Sequence, residues 1–225
     1  MRKFFILALA VLAAASCGSA GNAVSRAERY AGFYKEKPVV LMVMPPINAT
    51  TNVDAKDLLY TSISRPLIEA GYYVVSPLLT MDILRAESAY DAELFVDKPL
   101  GKFREVFGAD AVVFTEILTW AKQGFGVDTK IRYFIKSTST NDIIFDRTCD
   151  LYLDTSINSA GNSTLGAIIN LAASAINTAT TEHIEAARQA NYYIFRDIPY
   201  GKYSPDYLQD MEEPSESPTI RAVVK

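Results

Sequence analysis

The sequence predicts an α/β fold: a mixed sheet with a parallel βαβ start and an antiparallel hairpin, flanked by helices. Three observations carry this. Val39–Met44 and Ala111–Trp120 are apolar at nearly every position, the pattern of strands covered on both faces. Segments between them repeat apolar residues at helical spacing. Residues 129–154 alternate apolar with charged positions, the pattern of an antiparallel pair with one wet face.

The elements follow in order. Val39–Met44 is the first strand, and Pro45-Pro46 stops it because proline cannot donate to a ladder. The loop INATTNV follows. From Asp54, Leu59, Ile63, Leu67 and Ala70 share one helical face, with Asn52 or Asp54 as cap and Gly71 as stop. Pro66 lies inside this helix and predicts a kink near Ser62. Tyr72–Ser76 is the second strand, which completes the βαβ unit. Leu79–Glu87 and Lys98–Phe107 are helices, the latter stopped by Gly108. Ala111–Trp120 is a central strand interrupted by Glu116. Thr129–Thr138 alternates Ile131, Tyr133 and Ile135 with Lys130, Arg132 and Lys136. Ile143–Asp154 sets Phe145, Cys149, Leu151 and Leu153 against Asp146, Thr148, Asp150 and Asp154, so the basic face of one strand meets the acidic face of the next. Gly161-Asn162-Ser163 caps an Ala- and Ile-rich helix, Thr164–Thr180, and a last helix runs from Glu182 to Phe195. Residues 38–207 thus form one α/β domain. Residues 18–37 read as a tether, and residues 208–225, with EEPSESPT, as a mobile acidic tail.

The amino terminus reads as an address. Arg2 and Lys3 precede an apolar run from Phe4 to Ala15, too short for a stable crossing of about 30 Å of hydrocarbon and of the right length for a signal peptide. Ala14-Ala15-Ser16-Cys17 resembles a lipobox. Residues 1–17 are therefore expected to be a lipoprotein signal with Cys17 as the acylated residue. Durable anchoring takes two or more acyl chains, since each buried CH₂ contributes about 0.8 kcal/mol. Gly18 follows the Cys where aspartate would signal retention at the inner membrane, so the expected place is the outer membrane, facing the periplasm.

Counts remove several chemistries. With Cys17 acylated, Cys149 is the only thiol left and cannot form an internal disulfide; its alternation reads as a buried small hydrophobe. His183 is the only histidine and reads as a surface residue on a polar helix face. No metal site built on His and Cys is available. Once the signal leaves, basic residues fall from 22 to 20 against 26 acidic ones, a net charge of about −6 that argues against nucleic acid as a partner. No catalytic residues, cofactor or metal ligands are assigned.

Four strings then line up with a known family. They are Met44-Pro45-Pro46-Ile47-Asn48, Glu69-Ala70-Gly71-Tyr72-Tyr73-Val74, Phe107-Gly108-Ala109-Asp110-Ala111-Val112 and Tyr200-Gly201-Lys202-Tyr203-Ser204-Pro205. In this order, over about residues 30–207, the chain resembles a family of bacterial lipoproteins of unknown function that includes a meningococcal surface-antigen candidate. That family looks like the amino-terminal domain of TolB and the periplasmic domain of CsgG-type secretion lipoproteins. The resemblance implies an α/β domain in an envelope secretion or assembly complex, with other envelope lipoproteins of the CsgG type as partners. It supplies no catalytic residues.

Within these strings, Pro45, Pro46, Asn48, Tyr200 and Tyr203 are candidate partner-binding residues. The same residues also have structural readings, as strand end and as packing of a terminal segment. Three functions stay open: a non-enzymatic scaffold or accessory lipoprotein, a subunit of a CsgG-like pore, and an envelope hydrolase. The first is preferred. The 128–154 hairpin is charged on one face, unlike a lipid-facing strand pair, and the acidic residues fall on exposed-face positions.

Overall fold

The computed structural model describes residues 24–155 and 182–225. Cys17, residues 18–23 of the expected tether and the Thr164–Thr180 helix with its cap lie outside the described residues. One sheet organises the rest. Its strands are β1 (Val40–Val43), β2 (Ile47–Asn48), β3 (Tyr73–Val74), β4 (Ala111–Gln123), β5 (Gly126–Ser137), β6 (Ile143–Asp154) and β7 (Thr219–Val224). The order is β3-β1-β4-β5-β6-β7, with β2 also on β4. β1 pairs in parallel with β3 and β4, β5 is antiparallel to both β4 and β6, and β7 is parallel to β6. The expected class, a parallel start and an antiparallel hairpin in one mixed sheet, is what forms.

Helices α1 (Arg26–Arg29), α2 (Ala31–Glu36), α3 (Ala55–Ser62), α4 (Ser64–Glu69) and α7 (residues 182–195) pack on one face; α5 (Pro77–Ala86) and α6 (Gly101–Phe107) pack on the other. Leu59, Ile63 and Leu67 are fully buried on the first face, each contributing about 1.5–3 kcal/mol. The helix breaks between α3 and α4 at Ile63, because Pro66 has no N–H to donate to the carbonyl of Ser62. Asp54 occupies the N-cap position without a side-chain cap bond, and it is Asn52 whose Oδ1 accepts the amide of Ala55, at 3.1 Å. On the second face, Met42, Met44, Val112 and Phe114 form a smaller core with Phe103 and Phe134. Phe114 and Phe134 sit directly opposite across β4 and β5 and stack at 5.1 Å.

β4 is central, as its largely apolar pattern required. Glu116, the interruption, faces Arg132 across the ladder at 3.2 Å, and Arg132 also holds Asp146 at 2.7 Å. The basic and acidic faces therefore meet at Arg132 and Asp146, whereas Lys136 is buried and donates to the carbonyl of Val96, and Asp150 and Asp154 pair with Arg221 and Lys225 instead.

Three expectations need correction. The prolines interrupt the first strand without ending the ladder, since Ile47 and Asn48 pair again with Glu116 and Ile117 of β4. The tether is much shorter than residues 18–37: α1 and α2 are folded, and Tyr30, Phe33 and Tyr34 enter the main core. Residues from 208 on are not a mobile tail, because Asp210 is buried and β7 extends the sheet from Thr148↔Thr219 to Leu153↔Val224. The acidic composition read as solvated is instead absorbed by buried arginines.

Candidate functional site

β1 lies between the two strands that follow it by crossover, β3 on one side and β4 on the other. The first crossover runs over one face of the sheet through α3 and α4, the second over the opposite face through α5 and α6. The order therefore reverses at β1, and helices on opposite faces diverge beyond the carboxyl end of that strand. Open α/β sheets place ligand crevices at such switch points. Here the crevice exists: a cleft of about 240 Å³ lined by Pro45, Pro46, Lys56, Asp57, Tyr60, Met81, Arg85 and Tyr90.

Each wall has a local cause. Pro45 and Pro46 follow β1 after Met44 and are buried. α3 supplies Lys56, Asp57 and Tyr60; α5 supplies Met81 and Arg85. The Tyr60 hydroxyl donates to the carbonyl of Pro77 at 2.9 Å, with Val43 O at 3.4 Å, so it ties α3, the start of α5 and the end of β1 together. Burial raises the Tyr60 pKa, against the lowering influence of Arg85, so this hydroxyl stays neutral. Among the described residues, neither Lys56 nor Arg85 is in an ion pair. A larger groove of about 680 Å³ runs beside α4 and α7, but its charges are self-neutralised as Arg65–Glu69 at 2.8 Å and Arg188–Glu185 at 3.9 Å.

Asn48 does not line the cleft. It organises the loop beyond it: Oδ1 accepts the amide and hydroxyl of Thr50 at 3.0 and 2.7 Å, and Nδ2 donates to Asn52 O at 2.7 Å.

Tyr200 and Tyr203 sit apart from this cleft. The turn that carries them seats on Gly71: the amide of Gly201 donates to Ala70 O at 2.8 Å and that of Tyr203 to Gly71 O at 3.0 Å. Gly71 has φ +93°, and a Cβ there would lie 2.4 Å from the amide nitrogen of Ser204. Gly71 does stop the helix, as the sequence predicts, but it also receives a segment 130 residues away, a contact with no local signal. Tyr200 is half-buried under Arg26, and Tyr203 is 67% exposed with only its backbone engaged.

The residues that sequence reasoning missed are a buried charge clasp. Arg147 lies on the inward face of β6 beside Phe145 and Cys149, with 1% of its surface exposed. It donates to the carbonyls of Ile194 and Ser217 at 2.9 Å each and pairs with Glu216 at 3.1 Å and Asp197 at 3.5 Å. Arg26 of α1 pairs with Asp210 at 3.0 Å and Asp197 at 3.3 Å. Asp197 also accepts the Tyr30 hydroxyl at 2.5 Å and the Glu216 amide at 3.0 Å. Burial pushes the Glu216 carboxyl up, but its bonds to Arg196 and Arg147 outweigh this and hold it below the ordinary carboxylate value. The clasp locks amino-terminal α1, β6 and the carboxyl-terminal segment together. The one available signal was Arg147 itself, a cation on the alternation of an apolar face.

His183 is not a free surface residue. Its ring stacks on Trp120, and its Nδ1 accepts the indole N–H at 2.8 Å. Cys149 is buried as expected, and desolvation pushes its thiol up to about 12. Among the described residues, no group of three or more His, Cys, Asp or Glu is placed to hold a metal, and no helix is long and apolar enough to cross a membrane.

Known proteins place the chain. A Neisseria meningitidis serogroup B protein named "Putative lipoprotein NMB1124/NMB1162" is 29% identical over 89 residues, which cover 39% of this chain and 41% of that one. The crystal structure of lipoprotein GNA1162 from Neisseria meningitidis aligns over 64% of this chain and 99% of its own, with 19% identity and a TM-score of 0.47. The LpoB C-terminal domain from Salmonella enterica aligns over 49% of this chain and 79% of its own, with 18% identity and a TM-score of 0.37. The family described as "Putative lipoprotein GNA1162-like" matches residues 28–193, more than half of the sequence, and the chain belongs to that family.

Proposed function

We propose that this protein is an outer-membrane-anchored lipoprotein, acylated on Cys17, whose α/β domain faces the periplasm as a non-enzymatic accessory component of an envelope assembly or secretion complex. Membership of a lipoprotein family is the observation that carries the reading. The signal-like run ending at Cys17 supports the anchor, and folding from α1 onward leaves only a short spacer between Cys17 and the body. Support for a non-catalytic role comes from the buried carboxylates Asp197 and Asp210, which are paired with arginines inside the clasp. The pore alternative draws no support from the hairpin, whose outer face carries Lys130, Arg132, Asp146 and Asp150 where an apolar lipid-facing band would be needed. Partner docking is assigned to the Pro45–Pro46 cleft.

Metabolic labelling with an alkyne fatty acid tests the anchor. Label is expected in the outer-membrane fraction, lost in Cys17→Ser, with the domain protected from protease in intact cells. Crosslinking in those cells is expected to recover another envelope lipoprotein. Unlabelled soluble protein, or repeated recovery of the monomer alone, would overturn the reading.

A further inference from the structure

The switch-point cleft carries two cations and one carboxylate in its wall. Lys56 and Arg85 approach it from helices on opposite faces of the sheet, and neither is in an ion pair among the described residues. Asp57 offsets one of the two cations, so the mouth carries a net charge of one positive unit. The remaining wall is apolar and aromatic: the two prolines, Met81 and the Tyr60 and Tyr90 rings. A volume of about 240 Å³ is smaller than the roughly 300–1,000 Å³ of ordinary small-molecule pockets and holds one or two side chains.

We infer that this cleft binds a carboxylate carried beside an apolar side chain in an extended segment of a partner protein. Lys56 and Arg85 hold the carboxylate, and the prolines with Tyr90 and Met81 take the apolar neighbour. Charge complementarity selects this ligand over a phosphate. Phosphate cradles are built from backbone N–H groups, whereas Pro45 and Pro46 have none. The first amide of α3, that of Ala55, is already bonded to Asn52. A dianion would also meet Asp57, while a single carboxylate matches the net charge. The inference rests on the proposed docking role and names the chemistry of its surface.

The test uses the full acylated chain in detergent micelles, labelled with methyl-¹³C methionine. Met81 lines the cleft, whereas Met42 and Met44 lie in the second core and serve as internal controls. The probes are a capped Phe-Glu dipeptide, its Phe-Gln counterpart and inorganic phosphate. The Met81 methyl is expected to shift saturably with Phe-Glu and about fivefold more weakly with Phe-Gln, the size of one partly exposed charge pair. Lys56→Glu/Arg85→Glu is expected to abolish the shift while circular dichroism stays unchanged; Lys56→Gln/Arg85→Gln should weaken it. Equal binding of the two dipeptides, insensitivity to charge reversal, competition by phosphate at the dipeptide's own concentration, or no Met81 shift would each overturn the site. None of those results touches acylation or crosslinking, which are read on separate samples, so failure here and failure of the envelope reading are distinguishable.

Discussion

Arg147 and Asp197 lie 3.5 Å apart with 0% and 2% of their side chains exposed, on a strand and on the segment that follows the last helix. A buried pair of this kind stabilises little in itself, but either partner left alone is an uncompensated charge in a dry interior. Asp197→Asn is therefore expected to cost about 3–5 kcal/mol in urea unfolding, and Arg147→Ala a similar amount. Arg147→Ala combined with Asp197→Asn should cost less than the two single changes together. Full additivity would show that the pair is not coupled.

Removal of residues 209–225 tests how the carboxyl-terminal segment is held. It deletes Asp210, Glu216 and β7, leaving Arg26 and Arg147 without those anions. The melting temperature is expected to fall by about 10 °C or more. An unchanged thermal transition would mean that these residues are a solvated tail.

Gly71 and Gly201 pack backbone on backbone, so that a Cβ added at Gly201 would lie only 2.4 Å from the Gly71 carbonyl oxygen. Gly71→Ala adds a strained φ to its own clash with Ser204, so it is expected to cost more than about 1–2 kcal/mol. Hydrogen exchange should show the amides of Gly201 and Tyr203 losing protection. Gly108→Ala has φ +66° but open space around it, and should lose only the backbone contribution.

His183 has a pKa below its ordinary 6.5, because burial and nearby Lys122 disfavour the imidazolium more than Glu182 favours it. The unfolded chain therefore binds this proton more readily than the folded one. Stability from His183 is complete above the unfolded value and is lost as pH falls through 6.5 toward the folded value. Since Trp120 is the only tryptophan, its fluorescence should titrate in that acid range and report loss of its bond to Nδ1. A His183→Gln variant should remove the titration. A midpoint above 6.5 would contradict the geometry.

Much of the fold was legible because local patterns encode it. Apolar runs marked β1 and β4, alternation marked β5 and β6, and Pro66, Gly71 and Gly108 marked the breaks and stops in the helices. Part of the candidate cleft was legible too, since Pro45 and Pro46 were singled out and line it, while Asn48, Tyr200 and Tyr203 lie outside it. Lys56 and Arg85 were not, because each is an ordinary cation on a helix until the sheet order brings α3 and α5 to one strand end.

The sequence by itself determined β1 and β3 to β6, their class of pairing and the burial of Cys149, all of which follow from side-chain periodicity over a few residues. Tertiary structure alone decided where the chain's acidic end belongs, what Glu116 and His183 touch, and that the strand order reverses at β1. Those outcomes depend on contacts between distant segments, such as Arg26 with Asp210 and Trp120 with His183. Composition read the acidic end as solvated because charge costs least in water; two buried arginines change that balance by supplying the partners that offset desolvation.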